Sequence, residues 1–255
     1  MKIATWNVNS LRVRLPHVLQ WLEAAQPDVL AIQETKTVDE QFPLAELEAA
    51  GYNAVFAGQK TYNGVAIVSK SLATDVVTDI PDLDDPQRRI LAATIDGVRV
   101  VNLYVVNGAE VGSEKYAYKL DWLAKVTGWL QQQAALYPSL VVLGDFNIAP
   151  EDRDVHDPVA WGDAILCSPA ERAALQAIQA LGLSDTFRQF TQPDKSFSWW
   201  DYRGGGFRRN HGLRIDLILA SKPLADACQS CVIDREPRTW EKPSDHTPVV
   251  AEFTR

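Results

Sequence analysis

Hydrophobic and polar positions along the chain fall into short apolar runs separated by polar turns, with two longer stretches of helical spacing between them. Lys2 to Val8 reads as a strand that runs into a polar turn over Asn7 to Ser10. Leu15, Val18, Leu19 and Leu22 then recur with the period of a helix that Pro27 and Asp28 stop. Val29 to Ile32 is apolar enough to be buried on both faces, and Glu34 follows its end. Val65 to Val68, Ile90 to Ile95 and Val98 to Val106 read as further strands, and the Asp96-Gly97 turn makes the last two an antiparallel hairpin. Tyr116, Leu120, Leu123 and Leu130 mark one face of a long helix. Leu140 to Leu143 is a buried strand closed by Gly144 and Asp145, Arg214 to Leu219 alternates into a strand holding Asp216, and Val249 to Phe253 is a last strand just after Asp245 and His246.

Strands joined both by a hairpin and through helices predict mixed sheets with helices outside, in the α/β or α+β range, and their number suits two stacked sheets. No fixed-period repeat and no Pro/Gly/Ser-rich linker divides the 255 residues, so a single domain over 1–255 is expected. Apolar residues at 46% and charged residues at 23% exclude disordered and fibrous classes. No apolar run is long enough for a bilayer, and Met1 to Val8 lacks a basic region leading into an apolar one; a cytoplasmic monomer with no membrane partner is expected.

Three cysteines, Cys167, Cys228 and Cys231, are an odd set and argue against a disulfide framework. Cys228 and Cys231 have the spacing of half a zinc site, but no second pair or nearby His completes it, and buried hydrophobes is the plainer account. The net charge of −8 argues against binding nucleic acid through a broad positive field. Discrete loops are not excluded: arginines cluster at Arg12 and Arg14, at Arg88 and Arg89, and from Arg203 through Arg208, Arg209 and Arg214, where they could meet phosphates or be solvated surface.

Asn7, Glu34, Asp145, Asn147 and Asp245 each lie at or next to the end of a predicted buried strand, where a rigid backbone can hold a side chain at a mouth between loops. Taken singly, each is more readily a turn former. Together they are hard oxygen ligands with no paired His or Cys, a set that suits Mg²⁺ or Mn²⁺ rather than zinc. In Gly144-Asp145-Phe146-Asn147 the apolar Phe146 separates two polar residues, so strand alternation places both on one side. One could orient or deprotonate water while the other steadies a pentacoordinate phosphorane. In Ser244-Asp245-His246-Thr247-Pro248 the imidazole could meet a phosphate oxygen while protonated, and Asp216 could orient it. Ser244 lacks a nucleophile elbow, so serine hydrolysis is not expected.

The segments WNVNS from Trp6, QET from Gln33, GDFN from Gly144, GLRID from Gly212 and SDH from Ser244 resemble those of the exonuclease III family of apurinic/apyrimidinic endonucleases. PDV, GQK, GVAIVSK, KYAYKL and FSWWDYR extend the resemblance over essentially the whole chain. It implies a deoxyribonuclease I-like fold, a four-layered sandwich of two mixed β-sheets flanked by helices. It also implies a Mg²⁺-dependent phosphodiesterase, with Mn²⁺ able to substitute, acting on double-stranded DNA with abasic sites, nicks or blocked 3′ ends. By the resemblance Glu34 binds the metal with Asn7 and Asp245 close by and Asp145, Asn147 and His246 in the same shell. Asp145 activates water, Asn147 stabilises the transition state, Tyr104 is the active-site tyrosine, and His246 paired with Asp216 meets the scissile phosphate. Asn9, Arg12, Asn107, Lys115, Trp199 and Arg203 stand as substrate contacts. Trp199 is either the aromatic beside an extrahelical sugar or core packing, and alternation sends it and Trp200 to opposite faces.

The chain departs from the family in three places. Val106 stands where a proline is common, which would leave the loop of Asn107 less fixed. Asn9 replaces a residue often acidic, and Glu151 to Cys167, which lines the sugar pocket in the family, differs most. The balance of abasic-site incision and 3′-end trimming therefore stays open. A superfamily phosphatase for a lipid or inositol phosphate is a second possibility, against which stand the Arg-rich loops and the lack of a membrane-anchoring stretch. A catalytically dead binding protein is a third, and it should have lost some of Glu34, Asp145, Asn147, Asp245 or His246, all of which are present.

Overall fold

The computed structural model describes residues 1–254. In chain order the elements are β1 (Lys2–Asn7), α1 (Leu11–Ala25), β2 (Val29–Gln33), α2 (Leu44–Ala49), β3 (Asn53–Ala57), β4 (Val65–Ser69), β5 (Thr74–Val77), β6 (Ile90–Ile95), β7 (Val98–Tyr104), α3 (Glu114–Leu136), β8 (Leu140–Asp145), α4 (Pro158–Trp161), α5 (Pro169–Gln179), β9 (Leu183–Asp185), β10 (Trp199–Trp200), α6 (Gly206–Arg209), β11 (Gly212–Leu213), β12 (Asp216–Ser221), α7 (Lys222–Ala227), β13 (Cys228–Ile233) and β14 (Val249–Phe253). They form two six-stranded sheets, ordered β13-β14-β1-β2-β4-β3 and β5-β6-β7-β8-β12-β9, and a small β10-β11 ribbon. Each large sheet is mixed: β1 and β2 run parallel in one and β7 and β8 in the other, between antiparallel neighbours.

Alternation along the central strands builds the layers. Ile3, Val29, Ala31, Val65 and Ile67 of the first sheet face Leu91, Ala93, Val100, Val141, Leu143 and Ile218 of the second in one dry core. The opposite faces are covered by helices: Trp6, Leu30 and Ile32 pack with Val18, Trp21 and Leu22 of α1, and Val101, Leu103 and Val142 pack with Trp122, Leu123 and Leu130 of α3 and Leu175 and Ile178 of α5. A side chain of this size buried outright contributes ~1.5–3 kcal/mol, so strands sealed on both faces are strongly specified. The result is the expected four-layered sandwich. No helix among the described residues is long and apolar enough to cross a membrane.

The register puts strand ends together. Asn7 pairs with Gln33 at the last position of β1 and β2, and Asp145, at the end of β8, is flanked by Tyr104 of β7 and Asp216 of β12. Gly144 makes this crowding possible. Its φ is +141° and a Cβ there would lie 1.9 Å from the Leu103 carbonyl oxygen of the neighbouring strand. Just beneath, the buried Gln33 amide donates to Thr5 Oγ1 (2.9 Å) and across to Asn102 Oδ1 (2.8 Å), which ties the two sheets to each other below the mouth. Three strands are shorter than their apolar runs: β1 stops at Asn7, β7 at Tyr104, and β12 begins only at Asp216. For β1 and β7 the residues cut off lead into the loops that carry Asn9 and Asn107 to the mouth.

Candidate active site

Asp145 is 1% exposed and is surrounded by donors from three directions. Asn7 Nδ2 donates to its Oδ2 (2.9 Å) and also to Glu34 Oε1 (2.8 Å), so one amide links both carboxylates. His246 Nε2 lies 3.7 Å from Asp145 Oδ2. Asn147 does meet Asp145, but not by strand alternation: β8 ends at Asp145, and Asn147 turns back at φ +49° with its N–H donating to Asp145 Oδ1 (2.9 Å). Asn9, Glu34 and Lys36 share this left-handed geometry, which non-glycine residues adopt at a cost and which gathers at functional mouths.

His246 is held on its far side. Asp216, fully buried, faces Nδ1 with both oxygens at 3.1 and 2.9 Å, and Ser198 Oγ donates to Asp216 Oδ2 (2.7 Å). The loop itself is laced onto β10, with Trp200 N–H donating to the Asp245 carbonyl (3.0 Å) and Thr247 N–H to the Ser198 carbonyl (2.9 Å). Burial alone would lower the His246 pKa, but the carboxylates of Asp216 and Asp145 outweigh it and hold the ring as an imidazolium. Burial pushes the Asp145 carboxyl up, against the opposing pull of His246, which makes it a stronger proton acceptor than an ordinary carboxylate.

Glu34 is half-buried just past β2. Burial would raise its carboxyl, yet the Asn7 amide and the Lys36 ammonium outweigh that and keep it ionised below the usual value. Tyr104, its phenol driven well above 10 by burial and by Glu34 and Asp145, donates to Glu34 Oε1 (2.9 Å) under the Arg89 guanidinium. Ligand atoms of Glu34, Asp145 and His246 lie within 4.8 Å of one another. Of these, the carboxylates of Glu34 and Asp145 are the oxygen donors that suit a hard divalent cation, whereas His246 as an imidazolium has no lone pair to offer one; Lys36 Nζ sits 3.0 Å from Glu34 Oε2.

Other expected residues are arranged differently. Asp245 stands beside the Glu34 cluster: its oxygens accept from Asn9 Nδ2 (3.1 Å) and Trp199 Nε1 (3.0 Å), and its link to Glu34 runs through Asn9 Oδ1 and Lys36 Nζ (2.6 Å). Trp199 is half-buried against Ile215, Leu213 and Leu166, while Trp200 is sealed against Phe207, as opposite faces require. Ser244 is a structural donor to the Asn7 carbonyl (2.7 Å). Arg214 is no phosphate loop residue: it is 1% exposed and bonded to Asp154 and Asp185. Asn107 donates to Asn147 Oδ1 (3.3 Å), and its loop is not loose, since Ala109 N–H returns to Asn107 Oδ1 (3.1 Å) and Lys119 Nζ holds the Asn107 carbonyl (3.1 Å). Lys115 lines a cavity of about 420 Å³ with Asn107, Arg89, Asn63 and Tyr62. Arg12 and Arg203 are exposed, away from the Asp145 cluster's hydrogen bonds. Cys231 accepts from the Thr186 hydroxyl (3.3 Å) as a buried thiol, in keeping with a hydrophobe. Lys36 and Ser198 were not anticipated, although both lie in or beside quoted motifs.

Two facing sheets whose strand ends converge on buried carboxylates, an imidazolium and paired amides define a hydrolase of phosphate esters. More narrowly, the chain belongs to the endonuclease/exonuclease/phosphatase family, whose model matches residues 4–246, and it is a hydrolytic nuclease of that family. It is 38% identical to the exodeoxyribonuclease III of Haemophilus influenzae over 268 aligned residues, covering 99% of this chain and 100% of that one. A 3′ phosphatase from Neisseria, solved bound to a product DNA hairpin, is 49% identical with a TM-score of 0.98, both chains covered in full. An AP endonuclease from Archaeoglobus fulgidus is 41% identical with a TM-score of 0.96, again with both chains covered in full.

Proposed function

We propose that this chain, a single domain acting as a monomer, is a Mg²⁺-dependent phosphodiesterase of DNA repair that acts on duplexes with abasic sites, nicks or blocked 3′ ends. The observation that carries this is the convergence of Asp145, His246, Asn147 and Glu34 from four separate segments on one mouth. A Mg²⁺ ion held by Glu34 and Asp145, whose carboxylates the Asn7 amide ties together, and for which Mn²⁺ could stand in, would neutralise charge on the phosphate. Asp145, buried beside His246 and facing the mouth, takes the proton of the attacking water. Imidazolium His246 and the Asn147 amide bind non-bridging oxygens as charge grows on them, and Tyr104 keeps Glu34 aimed. Water forms the new P–O bond while the P–O3′ bond breaks, and the departing 3′ oxygen takes a proton from solvent to become a 3′-hydroxyl. The same bond breaks in abasic-site incision, 3′-to-5′ exonuclease action and 3′-phosphate removal, so one site can serve all three. Asp145→Asn and His246→Ala should each lower Mg²⁺-dependent cleavage by at least about 100-fold, and near-native cleavage by either would sink the scheme.

A second reading is that 3′ ends are the main substrate. The 3′ phosphatase from Neisseria shares more identity with this chain than does the AP endonuclease from Archaeoglobus fulgidus. In addition, Val155, Leu166 and Cys167 of the divergent segment fill the apolar cluster beside Trp199, where a displaced sugar would need room. Duplexes carrying an abasic site, a nick with a 3′-phosphate, or a recessed 3′ end, tested side by side with Mg²⁺, separate the two: comparable incision of the first favours the broader activity.

A further inference from the structure

Behind the mouth lie two charged side chains that the scheme above does not use. Lys119 on α3 and Glu171 on α5 are both 0% exposed and form an ion pair. A buried pair of this kind is a weak source of stability, since two well-packed apolar residues often do as well. Burial pulls the Lys119 pKa below its ordinary value although Glu171 opposes it, so keeping a charge there has a cost.

The hydrogen bonds of the pair show what it holds. Besides Glu171, the ammonium donates to the carbonyls of Asn147 (2.7 Å) and Asn107 (3.1 Å), which uses all three of its protons. Glu171 accepts from the N–H groups of Leu166 and Ser168 (both 3.1 Å) and from Ser168 Oγ (2.7 Å). Asn107, Asn147 and Leu166 belong to loops at the mouth or to the divergent strap from Glu151 to Cys167, and Ser168 is the N-cap of α5, with which Glu171 closes a capping box just after that strap. Asn147 is in the left-handed region at φ +49° and Leu166 at φ +72°, conformations that persist only where the surroundings impose them. Lys119 grips the carbonyl of the first and Glu171 the N–H of the second.

We propose that Lys119 and Glu171 are a positioning pair that fixes the Asn147 amide at the reacting phosphate and sets the sugar-side strap in register with it. The role at the phosphate rests on the phosphodiesterase function proposed above. Lys119→Met alone strands a buried carboxylate and can fail to fold, so the informative variant is Lys119→Met/Glu171→Leu, in which both charges go together. On a nicked duplex with a 3′-phosphate, kcat should fall about 100-fold with KM within about 3-fold, as expected for a misplacement on the order of 1 Å. In an Asn147→Ala background the same exchange should lower kcat by less than about 3-fold, because the group being positioned is already gone. A crystal structure of the paired variant should show Asn147 out of the left-handed region. Equal losses in the two backgrounds, or an unmoved Asn147, would overturn the proposal. An inactive unsubstituted protein would count against the proposed function instead, and the backbone of Asn147 in the paired variant would still decide the positioning role.

Discussion

Asp216 reaches the mouth only through His246. It is fully buried, it bonds Nδ1 with both oxygens, and it supplies the largest single push that keeps the ring charged in a buried place. Asp216→Asn should therefore leave the fold intact but lower kcat on the order of 100-fold or more, with KM little changed; steady-state kinetics beside a melting curve checks it, and an unchanged kcat would refute the orienting role. Glu34, Asp145, Asn147 and His246 were legible in the sequence because each lies at or beside the end of a buried strand within a compact motif. Lys36 and Ser198 were not, because a lysine or serine shows no chemistry until a partner stands within about 3 Å. The partners of Asp245 and Arg214 are hidden in the same way: nothing in the sequence marks Asn9 and Trp199 as bonded to the first, or Asp154 and Asp185 as bonded to the second, which is buried and not a surface arginine.

Among the elements, legibility followed burial. β2, β4 and β8 are buried at every position, and their apolar runs marked them plainly. The edge strands β5 and β13 are largely exposed or half-buried and passed unnoticed, since a strand with one wet face and short length leaves only a weak alternation. α5 was also missed, although Ser168 and Glu171 form a capping box at its start. The closeness of β7 and β8 at Gly144 is a tertiary demand on one residue. Gly144→Ala should destabilise the protein by about 3 kcal/mol or more and reduce activity with it, because neither the φ of +141° nor the Leu103 carbonyl can give way cheaply. Denaturant unfolding measures this, and a loss under about 1 kcal/mol would mean that the strands part easily.

At the scale of the whole molecule, the net charge of −8 sits on a protein whose Arg12, Lys115 and Arg203 are exposed, so attraction to DNA must come from local fields. The dry interior has a pH limit of its own. Burial pushes the Cys231 thiol and the Tyr52 phenol each up to about 12. Both pKa values are raised on folding, so their contribution to stability is complete below their unfolded values near 9 and 10 and is lost as pH rises towards about 12. Thermal melts from pH 8 to pH 11 should show a steady fall in melting temperature, and a flat profile would contradict the burial of these groups. The sequence by itself determined the class of fold, the central strands, the acidic and amide groups at their ends and the family, because burial periodicity and short motifs are local properties of a chain. Only the tertiary structure decided which of those groups face one another: Asn147 reached Asp145 by a left-handed turn, Asp245 was drawn off to Trp199, and Lys119 and Glu171 met beneath the loops. Such choices are set by distances between segments far apart in the chain, and hydrogen bonds and ion pairs fall off within a few ångströms, so no local pattern records them.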